Sequence, residues 1–176
     1  MLTSYKTVVN WDMFKCSGTI QVIDGSMDLA DDALAELDFV VGSVHSYMNL
    51  ESAEMTDRLL RALECKHLKV FGHPTGRVLL HRDPFPFDFD AVAAAAGRAG
   101  VMMEINASPE RLDLTASMAR AAKARGVKFV ISTDAHHPKH LLNMRYGVIM
   151  ARRAWLEPSD ILNTLPLGEF AKGIGR

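Results

Sequence analysis

Lys128-Phe129-Val130-Ile131-Ser132-Thr133-Asp134-Ala135-His136 runs from an apolar core straight into an acid and an imidazole. A short apolar run bounded by polar residues reads as a strand buried on both faces. Chemically useful side chains at the end of such a strand are how a barrel builds a hydrolytic metal site. Two earlier stretches repeat the design: Phe39 to Val44 precedes His45, and Leu68 to Gly72 precedes His73. A fourth run, Val101 to Asn106, carries Glu104 and Asn106 at its end. His45, His73, Glu104 and Asp134 follow one another at intervals of 28, 31 and 30 residues. About thirty residues is the length of one strand, loop, helix and return. The expected fold is therefore α/β, built from successive βα units.

The intervening stretches read as helices. Met55, Leu59, Leu60 and Leu63 share a face, 91–96 is an alanine run, and Met118, Ala119 and Ala122 form another apolar stripe. Gly100 and Gly126 stand just before strands, where a helix end favours glycine. Asp88 or Asp90 caps the helix after the proline-containing loop 82–87, and a further helix is expected from about Lys139 to Arg153.

With 176 residues, 48% of them hydrophobic, the chain is long enough for one domain and does not demand two. A net charge of −1 gives no broad electrostatic reason to bind nucleic acid, so phosphate contacts would fall to local clusters such as Arg145, Arg152 and Arg153. Cys16 and Cys65 are too few for a disulfide scaffold. Neither a signal-peptide core nor a membrane-length apolar run is present, so a cytoplasmic protein without membrane partners is expected.

Imidazoles and carboxylates on neighbouring strand ends bind Zn, Mn or Fe, and such ions polarise a phosphate and activate water. Asp134 and His136 are two apart, so on an extended strand they point the same way. Arg77, in the loop after His73, is placed for an anionic substrate because guanidinium matches phosphate. Glu104 reads either as a ligand or base, or as a partner that orients one; Asn106 reads either likewise or as a turn residue. Arg145 reads as a phosphate contact or a helix-face ion pair, and His67, His81, His137 and His140 as surface or loop residues.

Taken together, Asp38 to Ser46 (DFVVGSVHS), Phe71 to Arg77 (FGHPTGR), Glu104-Ile105-Asn106 with Pro109, and Ser132 to His136 (STDAH) resemble the polymerase and histidinol phosphatase (PHP) domain. The nearest likeness is to the C-terminal PHP domain of bacterial family X DNA polymerases. It spans about Asp24 to Leu167, including Asn143 to Gly147 and Trp155-Leu156.

The resemblance implies a distorted (β/α)7 barrel, TIM-like, with a trinuclear metal centre that hydrolyses phosphoesters, in those polymerases as a 3′ to 5′ exonuclease or end-processing phosphatase. By motif position His45 and His73 would ligate one ion, Asp134 a second and His136 a third. Asp134 and His136 would be the catalytic pair, with Arg77, Glu104, Asn106 and Arg145 binding substrate or supporting the ligands. The family's first ligands, a His-x-His strand, another His and a Gly-x-Glu strand, are missing, since no His precedes His45 and Gln21 is the nearest match to the Glu. The expectation is therefore an atypical segment 1–23 followed by the C-terminal part of a PHP-type barrel, 24–176, lacking the first strands. Fewer than three divalent ions are expected, with a phosphate ester or a DNA 3′ end as substrate and an open barrel edge that invites a homodimer. Three functions stay in play: a phosphoesterase of the polymerase-exonuclease type, a small-molecule phosphatase of the histidinol-phosphate type, and an inactive accessory domain.

Overall fold

In the computed structural model, residues 24–174 are described. Four parallel strands, β1 (Val40–Gly42), β2 (Leu68–Phe71), β3 (Met102–Asn106) and β4 (Phe129–Ser132), lie side by side in chain order. They alternate with α1 (Asp31–Ala35), α2 (Ser52–Ala62), α3 (Phe89–Ala99), α4 (Ala116–Lys123), α5 (Met144–Arg153) and α6 (Leu167–Gly173). Strands that advance one place per unit wind as a barrel does, and the four account for part of one. Seven strands are not present among the described residues. After β4 the next place is reduced to one parallel bridge, Phe129 to Ile161. The segment 1–23, with Gln21 and Cys16, lies outside the described residues.

Each helix has a local cause. Asp88 rather than Asp90 caps α3: its Oδ1 accepts from the Ala91 N–H at 3.0 Å, while Asp90 pairs with Arg125 at 2.6 Å. Thr115 caps α4 by accepting from the Met118 N–H, and Glu51 and Glu54 form a reciprocal capping box on α2. Gly100 and Gly126 take φ values of 69° and 82°, as helix ends before strands require. The helix expected over 139–153 is divided. Pro138–Asn143 is a 3-10 turn capped by His137, and α5 begins only at Met144. Leu142 and Ile149 stay exposed, and the buried face of α5 is Gly147, Val148 and Ala151. A side chain at 147 would meet Ile131 Cγ2 at 2.4 Å, so glycine lets α5 lie directly on β4.

Alternation along the strands separates two faces of the sheet. On one, Val40, Phe71, Met103, Ile105, Phe129 and Ile131 pack against the helices that carry Met55, Leu59, Val92 and Ala119. On the other, Phe39, Val70, Met102 and Val130 are covered by Phe170 and Ile174, with Phe39 and Phe170 edge to face at 6.2 Å. This second face turns polar two residues further along β3 and β4, at Glu104 after Met102 and Ser132 after Val130. One face thus holds an apolar floor under α6 and polar groups at the C-terminal strand ends. The outer side of β4 is closed by Asn163, whose amide accepts from the Ile131 N–H at 3.0 Å and donates to the Ile131 carbonyl at 2.8 Å.

Candidate active site at the strand ends

Glu104 is the centre of the polar end of the sheet. It is 5% exposed, and three neighbours donate to its carboxylate: the His73 backbone N–H at 2.5 Å, the Asn106 side-chain amide at 3.2 Å, and the Ser132 hydroxyl. One buried acid therefore ties together the ends of β2, β3 and β4. Burial raises its pKa above the usual carboxylate value, more than those three donors lower it.

The fold brings His45 and His73 together. Their ring centroids are 4.9 Å apart, edge to face, and Ser43 Oγ lies 3.0 Å from His45 Nε2. His73 is buried, and its Nδ1 has no hydrogen-bond partner among the described residues. Burial, with Arg111 and His45 adding repulsion, holds the His73 pKa down at about 4. Burial followed by Arg111 lowers His45 too. Both rings are therefore neutral at pH 7, which is the form that donates a lone pair.

Asp134 joins this group through Asn106 and Arg111. Asn106 Nδ2 donates to Asp134 Oδ2 at 3.4 Å, and Arg111 Nε sits at the same distance from that oxygen. His73 and Asp134 also share a backbone feature, with φ values of 28° and 51°. Non-glycine residues held there carry strain, and such residues cluster at functional sites. The Glu104 bond to His73 N–H and the Asn106 bond to Asp134 fix the two turns.

His136 is exposed and is not brought into contact with His45 or His73. Its Nδ1 bonds to the Asp134 carbonyl at 2.8 Å, which leaves Nε2 as the accepting nitrogen. Arg145 is also exposed and stands over the Tyr146 ring at 4.7 Å with a 2.8 Å bond to its hydroxyl, and among the described residues it neither forms an ion pair nor joins the cluster. Arg77 is half-buried and turned inward: Nε donates to the Arg111 carbonyl at 2.8 Å and Nη2 to the Leu112 carbonyl. It clamps a loop.

The residues that sequence reading missed are Arg111, Asp113, Ser43, Thr75 and Ser132. Asp113 is buried and receives both the backbone N–H and the hydroxyl of Thr75 at 2.9 Å, locking the loop after β2 to the loop after β3. Burial raises its pKa. Arg111 and Asp113 lie beyond a strand end, in the loop 107–115, so no strand pattern marks them; the bare signal is charge inside an otherwise ordinary turn.

The depressed His73 pKa carries a stability consequence. The unfolded chain takes up a proton near pH 6.5 that the folded chain refuses until about pH 4, so this contribution is present above 6.5 and lost as pH falls through 4. It amounts to about 3 kcal/mol. Glu104 and Asp113, whose pKa values are raised, slope the other way, losing their contribution as pH rises. The difference in unfolding free energy between wild type and His73→Asn isolates the histidine. That difference is expected to shrink across pH 6.5 to 4 in metal-free urea titrations, and a pH-independent difference would count against a buried neutral imidazole.

No family model matches the chain. It is 40% identical over 144 residues to the DNA polymerase/3′-5′ exonuclease PolX of Bacillus subtilis, covering 82% of this chain and 25% of that protein. A probable phosphatase of Clostridium acetobutylicum is 29% identical over 69% of this chain and 50% of its own length. Another, from Thermoanaerobacter sp. strain X514, is 26% identical over 80% of this chain and 59% of its own. The chain thus spans a quarter of the polymerase and half or somewhat more of these phosphatases. No described helix is long and apolar enough to cross a membrane.

Proposed function

We propose that this chain, a PHP-type domain close to PolX, hydrolyses phosphate esters at a divalent-metal site centred on His45 and His73. The observation that carries this reading is the pair of apposed neutral imidazoles, one of them buried with an unpartnered Nδ1. A buried polar atom with no partner costs about 1–3 kcal/mol, so folding has placed it at the expense of stability. A bound ion would remove that cost.

The donor chemistry fits a divalent ion. His45 and His73 supply neutral nitrogen and Asp134 supplies oxygen, a set suited to Zn, Mn or Fe. His136, with Nδ1 engaged by a carbonyl, offers Nε2 to an ion further out. Among the described residues no three His, Cys, Asp or Glu side chains form a ready-made metal sphere. When bound, such an ion polarises the phosphoryl group and lowers the pKa of water. The protein's own part is positional: Glu104 fixes the His73 turn, Asn106 and Arg111 orient Asp134, and Arg111 offsets phosphate charge.

The relatives named above favour phosphoester chemistry and divide on substrate, a polynucleotide 3′ end for one and an unnamed phosphate ester for the others. The purified chain should be supplied with Mn or Zn and assayed on p-nitrophenyl phosphate and on a 3′-ended oligonucleotide. Turnover that a chelator abolishes is the expected result. Full occupancy by metal with no turnover on either substrate would sink the hydrolytic reading.

A further inference from the structure

We propose that Arg111 is the phosphate-binding residue of this site, an inference that deepens the phosphoester reading and rests on it. Arg77 is the arginine that the sequence pattern nominates, because it follows the His73 motif directly. In the fold its guanidinium is spent on the carbonyls of Arg111 and Leu112. Among the described residues, the arginine that lies against the candidate ligand Asp134 is Arg111.

Three features make Arg111 a prepared anion contact rather than a simple ion pair. The first is that its bond to Asp134 is loose. Nε lies 3.4 Å from Oδ2, whereas a charge-assisted N–H···O bond closes to about 2.7–2.9 Å and Arg–carboxylate pairs are commonly bidentate. The second is that its donors are not used up. Nη1 makes a 3.3 Å bond to the Arg77 carbonyl, and Nη2 has no protein partner among the described residues. The third is that its backbone is held from several directions. The Arg111 N–H donates to the Ser108 carbonyl at 2.9 Å, its carbonyl is gripped by Arg77, and Leu79 N–H is bonded to the Glu110 carbonyl. Two residues on, Asp113 is locked to Thr75.

The arginine is thus fixed at its backbone, with its side chain 17% exposed, and only partly engaged at its planar head. A largely buried guanidinium on a fixed backbone has less rotamer freedom to lose when ligand arrives, so less entropy opposes binding. Partial burial also strengthens its attraction to an anion relative to water. The ligand chemistry is a tetrahedral phosphate, met by two parallel N–H donors from one planar group.

The test uses Arg111→Met, which keeps the stem and removes the charge, and Arg111→Lys, which keeps the charge and removes the fork. Orthophosphate binding is followed by calorimetry on the whole chain with no metal added, and KM and kcat are measured on p-nitrophenyl phosphate with metal. Arg111→Met is expected to weaken orthophosphate binding about tenfold or more. Arg111→Lys should fall between the two, with KM raised more than kcat is lowered. Wild-type orthophosphate affinity in Arg111→Met overturns the inference, as does a wild-type chain that binds no orthophosphate at millimolar concentration. If Arg111→Met fails to fold, a folded Arg111→Lys decides: an unchanged KM overturns the inference and a raised KM supports it. The outcomes separate from those of the hydrolytic reading, because a chain that binds orthophosphate through Arg111 without turnover keeps this inference and loses that one.

Discussion

His73→Asn should lower metal-dependent phosphoester hydrolysis by at least about a hundredfold while leaving the fold in place. The magnitude follows from the outer shell of metal sites, where loss of a mere supporting residue costs about 10–100-fold in affinity or activity; a ligand costs more. Asparagine is the informative replacement because it tolerates the positive φ of 28° at this position. Alanine would confuse loss of the ring with backbone strain. The Glu104 bond to the backbone N–H survives the substitution, since that bond does not involve the side chain. Metal content, turnover and melting temperature should be measured on one preparation. The expected combination is metal and turnover lost, with melting shifted by only a few degrees. Retained turnover with lost stability would make His73 a structural histidine and would leave the proposed site without its centre.

Glu104→Leu is expected to act in the opposite sense, on stability first. It removes the one acceptor shared by the His73 N–H, the Asn106 amide and the Ser132 hydroxyl. Leaving a buried donor unmet costs about 1–3 kcal/mol, so a total loss of about 3–5 kcal/mol is expected. For a chain of this size that is a fall in melting temperature on the order of 10 °C. Glu104→Gln keeps one acceptor oxygen and should fall between wild type and the leucine variant. Urea titrations at pH 7 check the order. Equal stability for Glu104→Leu and wild type would mean that the three donors find other partners and that the carboxylate does not knit the strand ends.

The parts of the fold that could be read from the sequence are those where a pattern repeats. Four apolar runs at a period near thirty residues became β1 to β4 in the expected order, and Gly100, Gly126 and Asp88 mark helix boundaries by plain backbone chemistry. Within the site, His45, His73, Glu104, Asn106 and Asp134 were legible because each sits at or just past a strand end. The helix expected over 139–153 is α-helical only from Met144, because Pro138 and the His137 cap open a 3-10 turn over the residues before it. Gly147, which reads as a weak point in a helix, is instead required by the close approach to Ile131. The roles of Arg77 and Arg111 could not be assigned from spacing. Arg77, which spacing nominates, is used up on the carbonyls of Arg111 and Leu112, a fact of loop geometry rather than of pattern.

The Asn163 amide has a directional consequence. By meeting both the N–H and the carbonyl of Ile131, a single side chain plays the part of a neighbouring strand at that position. A segment offered by a second copy finds no vacant donor and acceptor there. Lateral addition of a strand beside β4 is thereby refused at Ile131, so this flank is shut to edge-to-edge pairing at that position.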